Sequence, residues 1–270
     1  MNNRLAMITG AAGGLGRAMA CECGRRGYDL FLTDINDKGL LPLKTGLERQ
    51  FGVRVTTRAC DLTSPQSVDE LMAFIDSQGI RFDMLLNIAG VDDEGEFLGT
   101  DREKAVGMVT INNVATLRIT HAILHRRNPG SKFILVFVAS MAAMFPIPLK
   151  AVYAASKRFL LDFSVSLRAE LKSSDVNVLA LCPGGMATKA SVIKAIEVQG
   201  FGGIVTTNPM ERLTRKTIDR AIKGESIYIP GFMNRLFAFL GKIVPRTWIA
   251  SLLYKRWNKA QAQWLTPKKP

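Results

Sequence analysis

Short apolar, β-branched runs alternate with segments of helical period from the first residues to about residue 230. The runs predict strands at Leu5–Thr9, Asp29–Asp34, Val53–Arg58, Met84–Leu86, Phe133–Ala139, Val176–Leu181 and Ser226–Ile229. Most are apolar throughout rather than alternating, as strands covered on both faces are. Apolar positions three and four apart predict helices between them, at Gly14–Arg26, Lys38–Phe51, Ser64–Gln78, Asp101–His125, Ala151–Lys172 and Pro209–Lys223. Parallel neighbours need crossover helices, so this order reads as an α/β fold, a doubly wound parallel sheet of seven strands. Ligands of such sheets bind beyond the carboxyl ends of the strands, which makes the residues there the candidates for chemistry.

The first strand runs into Gly10-Ala11-Ala12-Gly13-Gly14-Leu15-Gly16, and a helix follows. Glycines allow a tight turn and close approach of a pyrophosphate, and the helix N-terminus offers that anion unpaired N–H groups. The spacing is Gly-x-x-x-Gly-x-Gly, not the commoner Gly-x-Gly-x-x-Gly of dinucleotide sites. A glycine-rich turn without a ligand is the alternative. Asp34 ends the second strand. A carboxylate there accepts hydrogen bonds from both adenosine ribose hydroxyls and repels a 2′-phosphate, which favours NAD over NADP. Otherwise it simply starts the turn into the next helix. Asp61 follows the third strand and stands either near the adenine amine or as the cap of the helix near Ser64.

Tyr153 and Lys157 are four apart in a helical segment, on one face and one turn from each other. A phenol with a pKa of about 10 is a poor acid or base at neutral pH, and a neighbouring ammonium lowers it by favouring the phenolate. Ser140 stands just past an apolar strand, where its hydroxyl meets a substrate oxygen or the phenol.

These pieces resemble the short-chain dehydrogenase/reductase family. The resemblance covers residues 4 to about 230 and rests on Thr9-Gly10-x-x-x-Gly14-x-Gly16, Asp61, Asn87-Ile88-Ala89-Gly90, Asn112, Ser140, Tyr153-x-x-x-Lys157 and Pro183-Gly184-x-x-x-Thr188. Ile88 departs from the pattern, which usually has a second Asn there, a position tied to the central sheet more than to the chemistry. The resemblance implies a Rossmann-type sheet and four catalytic residues. Tyr153 exchanges a proton with the carbonyl or alcohol oxygen, and Lys157 lowers its pKa and binds the nicotinamide ribose. Ser140 holds the substrate oxygen, and Asn112 supports a water relay through Lys157. The cofactor contacts it implies are Gly10, Gly14, Leu15, Gly16, Asp34, Asp61, Leu62, Asn87, Ala89, Gly90, Tyr153, Lys157, Pro183, Gly184 and Thr188, the last at the carboxamide. NADP-using members tend to carry a basic residue where Gly13 stands and to lack an acid where Asp34 stands. Both positions here are of the NAD type, and Arg17 occurs in both. Members often form homodimers or homotetramers through the helix that bears the tyrosine.

With 270 residues, 47% of them hydrophobic, the chain has enough material for one large core without staples. No apolar leader precedes the first strand, which sets the expectation of a cytoplasmic protein. Its four cysteines match neither a disulfide framework nor zinc knuckles. His121 and His125 share a helix face, but Ala122 stands where a zincin has its Glu, and no metal is expected. The acidic run Asp92, Asp93, Glu94 and Glu96 reads as a solvated loop.

The charge is uneven. Residues 231–270 hold eight Lys and Arg and no Asp or Glu, supplying +8 of the net +13, together with all three tryptophans. Residues 1–230 thus read as the dinucleotide-binding and catalytic domain, and 231–270 as a basic C-terminal extension of two short amphipathic helices hinged near Pro245. Tryptophans among lysines suit an anionic membrane surface, so peripheral contact through residues 232–264 is expected, against lid packing or an oligomer interface. Basic residues interleaved with large aliphatics argue against nucleic acid. The loop Met141 to Pro148 is apolar and borders the substrate in the family, which suggests a hydrophobic alcohol or ketone. The rival readings are an NADPH-dependent carbonyl reductase of lipid metabolism, a catalytically silent nucleotide sensor and a membrane-surface scaffold.

Overall fold

The computed structural model describes residues 4–186 and 207–265, with side chains to residue 255. Seven parallel strands form one sheet in the order β3-β2-β1-β4-β5-β6-β7. They are β1 Leu5–Thr9, β2 Asp29–Asp34, β3 Val55–Ala59, β4 Met84–Asn87, β5 Phe133–Val138, β6 Val176–Leu181 and β7 Ile227–Tyr228. The chain winds outward from β1 to β3, then returns to lay β4 against the other side of β1. The crevice above the β1–β4 pair is therefore the topological switch point, where such sheets bind ligands.

Both faces of the central sheet are dry, which explains why a strand such as β5 is apolar along its length. Along β5, Ile134, Val136 and Val138 enter one core and Phe133, Leu135 and Phe137 the other. The first core is closed by α1 (Gly14–Arg25), α2 (Asp37–Phe51) and α7 (Met210–Ile222) through Met19, Leu40 and Ile218. The second is closed by α3 (Pro65–Ser77), α5 (Ala115–Leu124) and α6 (Ala151–Glu170) through Leu71, Ile119 and Leu160.

The chain departs from the sequence reading in three places. The long helix expected over 101–125 is α4 (Arg102–Val109) joined to α5 by a π-helical turn, Thr110–Val114. β3 starts two residues later than expected. The tail forms α8 (Phe232–Ile243) and α9 (Arg246–Leu265), parted at Val244-Pro245 as the proline suggested, but α9 is not short. Thr188 and most of the weakly patterned stretch around it lie outside the described residues.

Candidate active site

At the end of β1 the chain turns through Gly10 at φ 64°, and a Cβ there would stand 2.8 Å from the Ala89 backbone. A Cβ on Gly16 would stand 2.7 Å from the Ala11 Cα. The turn therefore lies flush against the loop after β4, and only glycine permits it. Thr9 fastens the two: its hydroxyl oxygen accepts the N–H groups of Ile88 at 3.1 Å and Ala89 at 3.2 Å. Side chains cap the N-termini of α2, α3 and α4, namely Asn36, Ser64 and Asp101, but Gly13 leaves the N-terminus of α1 without one. A glycine-lined helix start with no capping side chain is a fitting cradle for a pyrophosphate. Gly14 is exposed there, and Leu15 sends its side chain into the core, so only its main chain faces the turn.

Asp34, half-buried at the end of β2, accepts the Ala12 N–H on one oxygen and the Asn36 N–H on the other, both at 2.9 Å. Those bonds aim the carboxylate and leave lone pairs for hydroxyl donors. Asp61 accepts the main-chain N–H and the hydroxyl of Thr63, at 2.9 and 2.6 Å, and these bonds hold its carboxyl below the usual range. Ser64, not Asp61, caps α3. Leu62 is buried in the core and Asn87 donates to the Thr120 hydroxyl at 2.9 Å, tying β4 to α5. Ile88 packs on the core. The Pro183 carbonyl accepts the Met141 N–H at 2.8 Å, and Gly184 donates to Asn208 at 2.9 Å, so the loops after β5 and β6 are joined.

Beside Gly90 the cofactor end meets the chemical end. A Cβ on Gly90 would stand 2.8 Å from the Asn112 Oδ1 and 3.4 Å from the Lys157 Nζ. Asn112 is wholly buried in the π-helical turn. Its carboxamide accepts the Val91 N–H at 2.9 Å and donates to the Val91 carbonyl and the Ser156 hydroxyl, both at 3.0 Å. A water relay from this side chain is thus left only the second lone pair of Oδ1. Neighbouring Asn113, which sequence reasoning missed, donates to the Ser156 carbonyl at 2.9 Å. The wider π turn lets both amides face α6.

Tyr153 lies in the first turn of α6, half-buried, with Lys157 one turn on. The Lys157 ammonium stands 5.8 Å from the centre of the phenol ring and donates to the Val138 carbonyl at 2.9 Å. Burial pushes that ammonium down to about 8. Burial also pushes the Tyr153 phenol above its ordinary value and the Asp92 carboxylate adds to this, while a hydrogen bond with Ser140 and the Lys150 ammonium pull it down. The lowering expected from Lys157 is not what the structure shows, since desolvation dominates and Lys157 is turned to Val138. Ser140 also accepts the Ala142 N–H at 3.1 Å.

Lys150 was not anticipated. It ion-pairs with Asp92 at 2.8 Å and Glu94 at 3.3 Å, which outweigh the effect of its burial and raise its pKa. Asp93 pairs with Lys104 at 2.7 Å. The acidic run is therefore a tether between the loop after β4 and the start of α6, not a merely solvated loop. The Gly95 N–H, donating to the Leu149 carbonyl at 2.8 Å, completes it. A cleft lined by Phe97, Met108, Leu149, Val152 and Tyr153 opens alongside.

A family model described as short chain dehydrogenase matches residues 4–196. The chain belongs to that family. Short-chain dehydrogenases similar to it include human 15-hydroxyprostaglandin dehydrogenase [NAD(+)], 30% identical over 73% of each chain. The bovine very-long-chain 3-oxoacyl-CoA reductase is 30% identical over 70% of this chain but only 61% of its own length. Among solved short-chain dehydrogenases, one from Sphingobium yanoikuyae in complex with NADPH superposes with a TM-score of 0.75 at 26% identity, over 88% of this chain and 93% of the other. L-sorbose reductase from Gluconobacter frateurii, with NADPH and L-sorbose, gives 0.76 at 23% identity over 85% and 95%, a likeness of fold. The protein is thus a nicotinamide-dependent oxidoreductase of the short-chain dehydrogenase family, whose relatives act on alcohol and ketone groups.

Proposed function

We propose that the protein moves a hydride between NAD and a hydrophobic alcohol or ketone, with Tyr153 as general acid and base. The observation that carries the reading is the placing of Tyr153: in reach of the Ser140 hydroxyl, with the Lys157 ammonium 5.8 Å from the centre of its ring, and on the wall of a cleft. The nicotinamide, when bound, supplies or accepts the hydride. The turn at Gly10, Gly14 and Gly16 would hold its pyrophosphate, Asp34 the adenosine ribose and Lys157 the nicotinamide ribose.

In the reducing direction the Ser140 hydroxyl and the Tyr153 phenol hold the carbonyl oxygen. The buried phenol is neutral at pH 7, so Tyr153 is loaded to give up its proton as that oxygen becomes an alcohol. In the oxidising direction it takes the proton back. Lys157, at about 8, both receives and releases a proton near neutral pH, which suits the next station of a relay. Asn112 and Asn113 position it by fixing α6 against the loop at Val91.

NAD is preferred because a 2′-phosphate would meet the aimed carboxylate of Asp34. NADPH stays as a second reading because Arg17, exposed at the turn and bonded to the Ala12 carbonyl at 2.8 Å, offers a cation there. The hydrophobic substrate rests on Phe97, Met108, Leu149 and Val152 in the cleft. Exposed Val106 and Val109 on α4 and Phe159 and Val165 on α6 fit a homo-oligomer. Peripheral membrane contact through residues 232–264 is part of the same reading. Among the described residues, no helix is long and apolar enough to cross a membrane.

The test follows reduced-nicotinamide absorbance with NAD and NADP against sterols, acyl alcohols, ketones and small polar alcohols. Turnover of an apolar substrate with NAD, lowered ~10²–10⁴-fold in Tyr153→Phe, is the expected result. Equal turnover by that variant, or a preference for NADP and small polar substrates, would sink the reading.

A further inference from the structure

α8 has two faces. Asn234, Ala238 and Gly241 point inward: the first two are buried, and a Cβ on Gly241 would stand 2.6 Å from the Phe145 ring. On the opposite side, at the three- and four-residue spacing of a single face, lie Phe232, Leu236, Phe239, Leu240 and Ile243, all exposed. Phe232 is 72% exposed, Phe239 59% and Ile243 64%. Past Pro245, Trp248 and Leu252 stand one helical turn apart on α9, 71% and 70% exposed. Water is a poor solvent for such a strip, and contiguous apolar surface of this kind marks a contact.

The charges around it select the partner. Arg235, Lys242, Arg246 and Lys255 are exposed along the two helices, and no Asp or Glu occurs from 231 to 270. A second copy laid on this face would bring like charges together. An anionic headgroup layer is complementary to the cations, and its acyl boundary to the phenylalanines and tryptophan.

We propose that the outer face of α8 and the first turns of α9 dock on an anionic phospholipid bilayer. Because the inner face of α8 rests on Phe145, docking sets the loop Met141 to Pro148 directly behind the docked helix, and a bilayer-dissolved alcohol or ketone enters the cleft from that side. The docking stands on the surface alone; the delivery of substrate rests on the oxidoreductase reading.

The full-length protein is mixed at low salt with vesicles of phosphatidylcholine, alone or with phosphatidylglycerol. All three tryptophans lie within residues 231–270, so their emission reports this segment and nothing else. Blue-shifted emission and co-sedimentation with the anionic vesicles are expected, reduced by salt and lowered roughly tenfold or more by Phe239→Ser with Ile243→Ser. Both sites are exposed, and an unchanged melting curve verifies the fold of the double variant. Wild-type protein that ignores both vesicles overturns the docking. So does a double variant that binds vesicles normally, or one that changes only from dimer to monomer in ultracentrifugation, which would give the face to a second copy. With NAD, the double variant should lose turnover of a vesicle-embedded long-chain alcohol and keep that of a soluble short one; equal loss or no loss of both overturns the delivery. Tyr153→Phe should bind vesicles as wild type does. If wild type docks yet is as inert as Tyr153→Phe, the docking is upheld and the oxidoreductase reading fails.

Discussion

The ammonium of Lys150 lies 5.7 Å from the centre of the Tyr153 ring, as near as that of Lys157 on the same helix. The two cations differ in their company. Lys157 is buried against a carbonyl, whereas Lys150 reaches the surface and is held by Asp92 and Glu94. The phenol therefore feels an ion pair at the cleft mouth whose two members act on it in opposite directions.

Asp92→Asn and Lys150→Gln should move the pH profile of alcohol oxidation in opposite senses. Losing the carboxylate favours the phenolate, so the rising limb of kcat/KM moves to lower pH. Losing the ammonium moves it higher, because one cation is gone and Asp92 is no longer neutralised. The pairs are partly exposed, so each variant should cost only about 1 kcal/mol of stability or less. Tyrosinate absorbance, with Tyr153→Phe subtracted, gives the same shifts without a substrate. Shifts of one sign in both variants would rule out the coupling.

Lys157→Met should inactivate the protein yet stabilise it near neutral pH. The folded-state pKa of about 8 lies below the 10.5 of a free lysine, so below pH 8 folding must bury an ammonium. That penalty, about 3 kcal/mol, is fully present below pH 8 and fades as the pH rises towards 10.5. Part of the gain is returned, since the Val138 carbonyl loses its donor. Melting curves at pH 7 and near pH 10 should show a gain at the first that shrinks at the second.

Gly10→Ala should weaken both the fold and dinucleotide binding. A left-handed φ and a Cβ at 2.8 Å from the Ala89 main chain together cost about 1–3 kcal/mol. Gly27, at φ 77° with nothing within 4 Å of its Cβ position, is the matched control. Gly27→Ala should cost about 1–2 kcal/mol and leave NAD affinity alone. Titration calorimetry showing equal NAD affinity for both variants would remove the cradle from the turn.

Asp34→Ala should narrow or invert the preference for NAD over NADP. It also frees the Ala12 and Asn36 N–H groups, so a loss of about 1–3 kcal/mol in stability accompanies the change. Competition binding of the two nucleotides reads the ratio. An unchanged ratio would return Asp34 to the role of a turn-former.

The sheet was readable because its central strands are covered twice: in β5, Ile134, Val136 and Val138 serve one core and their alternates the other, so the whole run had to be apolar. β3 was placed early because only Val55 of its residues is buried, so apolar patterning did not mark its start. Tyr153 and Lys157 declared themselves by local spacing. Asn113, Lys150 and the bonds of Thr9 to the loop after β4 did not, since the partners are distant in the chain: Lys150 and Asp92 are 58 residues apart. The π turn was hidden for another reason. Thr110 to Val114 suits an α-helix equally well, and the only sign was a pair of asparagines on what should have been a covered face. Whether Thr188 meets a carboxamide, as the resemblance implies, lies outside the described residues.

Tyr153 is the third residue of the 20-residue helix α6, and no side chain caps the helix start. Aligned peptide dipoles leave a partial positive charge at such an end, and helical side chains lean towards it. The phenolate form therefore gains from the backbone itself, in a field that no lysine supplies. Unlike an ammonium or a carboxylate, this contribution does not titrate: it favours the phenolate of Tyr153 equally in acid and in alkaline solution.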